Sequence, residues 1–386
     1  MKISKKVSCV TPSLARQLFN MVQEYTDTID LTLGDPDMDV PEAIKKAAID
    51  AICSNKTHYS ANAGLISARA AAASKINREQ GNNFYDESNI IITVGGMEAL
   101  YLLFLCTVDP GDEVIVFAPY YNNYVQMVNM CEGVPVILDA YGENGFEIDE
   151  AVLESSITDR TIAIVINSPN NPTGEVMSKE SLRVVAEVAQ RHNLLVISDE
   201  VYKTLVFDEE YTGISEFMAD RKQLVIVDSM SKEYNMTGWR IGYACADSEL
   251  VAAMTKMQEN IVACAPLPSQ YAMIAAYDNP PDKETTVSEF KKRRNLIAEG
   301  INEIEGLSCI PPKATFYAFV NIGELGMSSV DFAYKLLEKK HVAVVPGVCY
   351  GANYDNYIRI AFTKDCSVLR EAIDRIKEFA EEIKKK

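Results

Sequence analysis

Residues 228–244 read "DSMSKEYNMTGWRIGYA", and an apolar run, "QLVIVDSM", leads into them from position 223. The β-branched and aliphatic residues of that run predict a buried strand over Leu224–Asp228. Lys232 and Arg240, eight positions apart, are therefore delivered to the end of a strand. A lysine kept in an apolar setting has its neutral amine favoured, because burial penalises the charged form. A neutral amine is what a nucleophile toward a carbonyl carbon requires.

The same texture recurs along the chain. Strands are predicted at Ile90–Val94, Glu113–Phe117, Val134–Leu138, Thr161–Asn167, Leu194–Ser198, Leu224–Asp228 and Ile241–Ala244. Helical patterns such as Met97–Val108 and Lys179–His192 lie between them. The longer runs are continuously apolar rather than alternating, as in a mostly parallel sheet covered on both faces. This alternation of strand and helix predicts an α/β architecture. From about Ser288 the texture changes. A charged helix, "SEFKKRRNLIAEGINEI", precedes strands at Phe316–Asn321, Ala343–Val345 and Tyr357–Phe362, and an amphipathic helix, "VLREAIDRIKEFAEEIKK", follows. The expected division is an N-terminal segment, 1–45, joining a small α+β domain, 288–386, with a large domain, 46–287, between them.

Composition narrows the function. The 386 residues are 48% hydrophobic and carry a formal net charge of −18. Nucleic acids and anionic membranes both need clustered cations, so neither is an expected partner. "KKVSCVTPS" at residues 5–13 has no apolar run of signal-peptide length behind it, and no window is long enough to span a bilayer. A cytoplasmic protein is expected. The nine cysteines form no CxxC pair and suit reduced thiols. The three histidines are far apart, so no metal site is expected.

Open α/β sheets bind ligands beyond the carboxyl ends of their strands, so the polar residues that fall there matter most. "IIITVGGMEAL" gives a strand, then Gly95 and Gly96, then a helix start whose free N–H groups suit a phosphate. Its ordinary reading is a tight turn. "VINSPNNPTGEV" ends another strand in residues that ordinarily form turns. "LLVISDEVYKTL" places Asp199 after an apolar run; a carboxylate there needs a cation or full hydrogen bonding, and a helix cap or structural ion pair would satisfy it. "DSMSKEYNMTGWR" adds Ser229, Ser231, Lys232 and Arg240. Together the four segments describe one ligand, with an anionic phosphate, a ring nitrogen wanting a carboxylate and an aldehyde wanting an amine. Pyridoxal 5′-phosphate has all three.

At this point the chain resembles the class I/II (fold-type I) pyridoxal-phosphate aminotransferases, the bacterial aspartate-aminotransferase-like branch most of all. The resemblance runs over nearly all of the chain through "LGDPDMDVPE", "HYSANAG", "VGGMEAL", "DPGDEVIVFAPYY", "NSPNNPTGEV", "SDEVY", "SMSKEYNMTGWRIGYA", "VVPGVCYG" and "YIRIAF". It implies the fold-type I transferase architecture and a homodimer. Lys232 then matches the lysine that bonds the cofactor's aldehyde carbon and shuttles the proton. Asp199 matches the carboxylate on the pyridinium nitrogen, and Asn171 and Tyr202 the pair on the ring's 3′ oxygen. Gly95, Gly96, Met97, Ser229 and Arg240 match the phosphate cradle, and Tyr121 the aromatic stacked on the ring. Tyr59 resembles a tyrosine that reaches the phosphate of the neighbouring subunit. Gly34, Asn171 and Arg359 fall where the family grips the substrate's α-carboxylate.

Two departures concern the substrate. Ala314-Thr315 stand where relatives usually have Gly-Ala before the aromatic pair. Met97 replaces a lysine that some aspartate-specific relatives use for the distal carboxylate. Neutral or aromatic amino acids are therefore expected at least as readily as aspartate, with Tyr121 and Tyr317 as pocket walls and 2-oxoglutarate as acceptor. A carbon–sulfur β-lyase is the alternative outcome, and a non-catalytic binding protein on the same fold a third.

Overall fold

The computed structural model describes residues 1–10, 14–22, 25, 27–142 and 145–385. Of the N-terminal segment, residues 11–13, 23, 24 and 26 thus lie outside the described residues. The central sheet has seven strands: β1 (Ile90–Thr93), β2 (Glu113–Ala118), β3 (Val134–Asp139), β4 (Thr161–Asn167), β5 (Leu195–Asp199), β6 (Leu224–Ser229) and β7 (Gly242–Cys245). Their spatial order is β1-β7-β6-β5-β4-β2-β3. Neighbours pair in parallel except β7, which runs antiparallel to both β1 and β6.

The continuous apolar runs have a simple cause. Alternate residues of one strand enter two different cores, because successive side chains point to opposite faces. Ile115, Ile164, Val196 and Ile226 pack into one. Val114, Val165, Ile197 and Val225 pack into the other. β3, at the sheet edge, is only partly buried. Helix α1 (Gly96–Thr107) follows β1 directly, and Gly95 makes the turn at φ 77. Helix α2 (Lys179–His192) is capped by the Ser178 hydroxyl, which accepts from the Ser181 amide, and ends at Asn193 in the left-handed region. Among the described residues no helix is long and apolar enough to cross a membrane.

The smaller domain is built on an antiparallel sheet with order β8-β9-β11-β10, formed by Ser308–Cys309, Tyr317–Asn321, Val345–Pro346 and Tyr357–Ala361 in chain order. Its core includes Phe316, Phe332, Leu369 and Phe379. The single strand expected at Ala343–Val345 is two. Val342–Ala343 pairs in parallel with Ile29–Asp30, whereas Val345–Pro346 pairs with Tyr357–Ala361. The chain changes partner at Val344, a division that hydropathy does not register. The Ile29–Asp30 pairing and the bond from the Ala361 amide to the Leu31 carbonyl fasten the N-terminal segment to this sheet.

Candidate active site

Antiparallel β7 explains why Arg240 meets Lys232. Gly242, its first residue, stands opposite both Thr93 at the end of β1 and Ser229 at the end of β6. The segment just before β7 therefore crosses the carboxyl edge of the sheet and brings Arg240 there. Lys232 arrives from β6 through a short helix, Met230–Glu233, whose cap is the Ser229 hydroxyl accepting from the Ser231 amide. The register Asn167↔Asp199 puts the ends of β4 and β5 side by side at the same edge.

These ends open into a cleft of about 1040 Å³. Gly96, Met97, Tyr121, Asn171, Asp199, Tyr202, Ser229, Lys232, Arg240, Gly34 and Arg359 all line it. Gly95 stands directly behind, since a Cβ on it would come within 2.5 Å of Arg240 Nη2. Tyr59 is the exception: it is 87% exposed and contributes nothing to its own chain's cleft.

Lys232 Nζ donates to the Gly34 carbonyl at 2.6 Å. Only glycine fits at 34, where a Cβ would lie 1.7 Å from the Tyr317 hydroxyl. Arg240 Nη1 donates to the Thr237 carbonyl at 2.9 Å and Nη2 to the Val94 carbonyl at 3.4 Å. Arg240 itself holds a left-handed backbone, φ 50. Its guanidinium has no carboxylate partner among the described residues, and the Ser229 and Ser231 hydroxyls and the α1 N-terminus share its end of the cleft. This donor set suits a phosphate.

Asp199 is buried, and its Oδ2 accepts from the Tyr124 hydroxyl at 2.6 Å. Burial pushes its carboxyl up from 3.8 to about 6, against the Tyr124 bond, which lowers it. Among the described residues no cation pairs with this group, and a protonated ring nitrogen would supply one. Pyridoxal phosphate therefore fits the residues present.

At the other end, Arg359 is 6% exposed and has no carboxylate partner among the described residues. Its Nη1 donates to Asn171 Oδ1 at 3.0 Å and its Nη2 to the Thr32 carbonyl, while Nε has no hydrogen-bond partner. The guanidinium carbon lies 4.3 Å from the Tyr317 ring centre and 5.3 Å from that of Tyr350. Tyr202 and Tyr317 hydroxyls are 3.1 Å apart. Burial and the neighbouring Tyr317 hold the Tyr202 hydroxyl well above its ordinary range. Burial likewise pushes Tyr121 up to about 12.

Comparison with known proteins places this geometry. The model of the family "Aminotransferase class I and II" matches residues 26–376. The chain belongs to the class I and II aminotransferases. It is 37% identical to an aspartate aminotransferase of Bacillus subtilis, covering 99% of each chain. It is 33% identical to aromatic-amino-acid aminotransferase 2 of Thermococcus litoralis, covering 100% of each. Its fold superposes on an aspartate aminotransferase from Thermus thermophilus with maleate at a TM-score of 0.93, with 34% identity over 98% of this chain and 99% of that one. This aminotransferase moves an amino group between an amino acid and a 2-oxo acid, and its family is known to use pyridoxal phosphate. These relatives do not favour the β-lyase alternative.

Several lining residues escaped the motif reading. Tyr124, the donor to Asp199, lies three positions beyond Tyr121 and faces the sheet rather than the solvent. Asn167 bonds the Asp199 carbonyl and accepts from the Asn171 amide at 2.8 Å. Asn123 Nδ2 donates to Met97 Sδ and to the Tyr121 hydroxyl, each at 3.0 Å. The polar richness of "YYNNY" was the available signal for Asn123 and Tyr124, and the end of the apolar run in "VINSPNNPTGEV" for Asn167.

Proposed function

We propose that this aminotransferase binds pyridoxal phosphate in the cleft and acts on neutral or aromatic L-amino acids at least as well as on aspartate, with 2-oxoglutarate as acceptor. When bound, that cofactor supplies an aldehyde for the amino group and an electron-withdrawing ring. Arg240, Ser229 and the N–H groups of Gly96 and Met97 hold the phosphate. Asp199 accepts the ring N–H, Asn171 and Tyr202 meet the 3′ oxygen, and Tyr121 covers the ring face. Arg359 and the Gly34 segment hold the substrate's α-carboxylate, orienting Cα–H toward Lys232 Nζ, which takes the proton.

One observation carries the substrate reading. Among the described residues lining the cleft, the cations are Lys232, Arg240 and Arg359. Each has a task already, and Met97 adds none. A buried distal carboxylate without a cation costs several kcal/mol.

Tyr59 is exposed as a residue committed to a partner copy would be, which supports a two-fold homodimer completing each site across its interface. The division 1–45, 46–287 and 288–386 assigns the cofactor to the large unit and Arg359 to the small one. The scattered cysteines suit a cytoplasmic setting.

Borohydride reduction of the protein incubated with pyridoxal phosphate, followed by peptide mass mapping, should place the adduct on Lys232. An adduct on another lysine, or none, sinks the assignment.

A further inference from the structure

Thr315 is fully buried and holds a left-handed backbone, φ 64. A β-branched residue in that region is strained, and strain of this kind persists only where the surroundings enforce it. Two main-chain bonds do so: the Thr315 amide donates to the Leu205 carbonyl and the neighbouring Ala314 amide to the Gly174 carbonyl, both at 2.8 Å. The Thr315 hydroxyl oxygen then accepts from the Tyr317 amide at 3.1 Å. Asparagine or glycine would reach the same backbone more easily, but glycine would lack this acceptor.

Tyr317 in turn touches three functional groups. Its ring lies under the Arg359 guanidinium. Its hydroxyl meets that of Tyr202. The same hydroxyl packs against Gly34, whose carbonyl receives Lys232 Nζ. We propose that Thr315 and Tyr317 form one positioning unit, in which the strained Thr315 turn fixes the Tyr317 ring and hydroxyl, and Tyr317 sets Arg359 and Tyr202 relative to each other. Neither is a catalytic residue; they act through the groups they hold. The inference rests on reading Arg359 as the α-carboxylate clamp. It also gives the Ala314-Thr315 departure a purpose: the change tunes the clamp that every substrate uses rather than the pocket for one side chain.

The test is the affinity of the holoenzyme for 3-phenylpropanoate, a carboxylate that cannot be turned over, read by titration calorimetry. Thr315→Gly relaxes the turn and deletes the hydroxyl, and should weaken binding about tenfold while raising KM for all amino acids by a similar factor. Thr315→Ser keeps the acceptor and should stay within about twofold of the parent. Tyr317→Phe keeps the ring under Arg359 but frees Tyr202, so kcat should fall about tenfold with carboxylate affinity unchanged. That variant tests the unit even if Thr315→Gly does not fold. Arg359→Lys separates the two readings. If it leaves carboxylate affinity intact, the clamp itself is misassigned and this inference falls with it. If it weakens binding while Thr315→Gly binds normally, or if Tyr317→Phe keeps full kcat, only the positioning unit is wrong. A KM rise confined to aromatic substrates in Thr315→Gly would also overturn it, since a pocket wall discriminates between side chains and a clamp does not.

Discussion

The two ends of the cleft are built in different ways. At the Lys232 and Arg240 end, functional groups stand on the ends of adjacent strands, and sheet register sets their spacing: Asn167 beside Asp199, and Ser229 and Thr93 on either side of Gly242. At the Arg359 end, contacts join segments remote in the chain. Arg359 bonds residues 188 and 327 positions away, and Tyr202 meets a tyrosine 115 positions on. Apart from the Lys232 bond to the Gly34 carbonyl, the first end is a property of one sheet. The second exists only when the N-terminal segment, the large domain and the small domain are assembled. Substitutions at the first end should therefore change chemistry on an intact frame, whereas those at the second should change how a substrate is held.

Asp199 gives the largest expected effect. Asp199→Asn keeps the shape and the Tyr124 contact but removes the charge that, on the proposed reading, would hold a ring proton. It should slow turnover by about a thousandfold or more, roughly 4 kcal/mol of transition-state stabilisation. The same change should stabilise the cofactor-free protein. With its carboxyl raised from 3.8 to about 6, the native state binds more protons than the unfolded chain between those values. Stability from this group is full below about pH 4, falls as pH rises, and is lost above about pH 6. Asp199→Asn escapes that loss, a gain of at most roughly 3 kcal/mol at neutral pH that vanishes in acid. Urea unfolding of both apoproteins at pH 4 and pH 8 measures it. Equal stability at both pH values, or near-normal turnover, contradicts the role given to Asp199.

Arg359 tests the other end with a smaller effect. Arg359→Lys keeps the charge but not the planar fork that matches a carboxylate. KM should rise about ten- to a hundredfold for every amino acid tried, with kcat reduced less. A loss in kcat alone, with KM unchanged, would mean that the two ends are not functionally separate.

The same contrast explains what the sequence made legible. Strands β4 and β6 could be drawn nearly to the residue, because their apolar runs end abruptly in the polar residues that form the site. Lys232, Asp199 and Arg240 were within reach for that reason. Tyr317 and Thr315 drew notice only as a pocket wall and a departure from relatives, since their contact with the Arg359 end lies in a ring placed under a guanidinium and a backbone forced into the left-handed region. Neither leaves a periodicity or a spacing. Arg359 was within reach only through the resemblance, because nothing in the spacing of "YIRIAF" shows that its strand is buried and its side chain points inward. The partner switch at Val344 was hidden similarly, because both halves of that segment are equally apolar.

Met97 offers the finest probe, since it stands at the first end but bears on what the second can accept. It lines the cleft from the first turn of α1, and its sulfur receives the Asn123 amide at 3.0 Å and the Tyr121 hydroxyl at 3.4 Å. A lysine there would bring a cation within reach of a substrate side chain while leaving the backbone N–H groups of α1 in place. Met97→Lys should therefore raise kcat/KM for aspartate relative to phenylalanine by about tenfold, close to 1.4 kcal/mol, with little change for alanine. The gain is modest because an ammonium must itself be desolvated beside Tyr121. The parent enzyme sets the baseline: aspartate should not exceed phenylalanine, methionine and alanine by more than about a hundredfold in kcat/KM, roughly 2.7 kcal/mol. A larger preference in the parent, left unmoved by Met97→Lys, would show that aspartate already finds its cation elsewhere, and the partner copy proposed above is where to look for it.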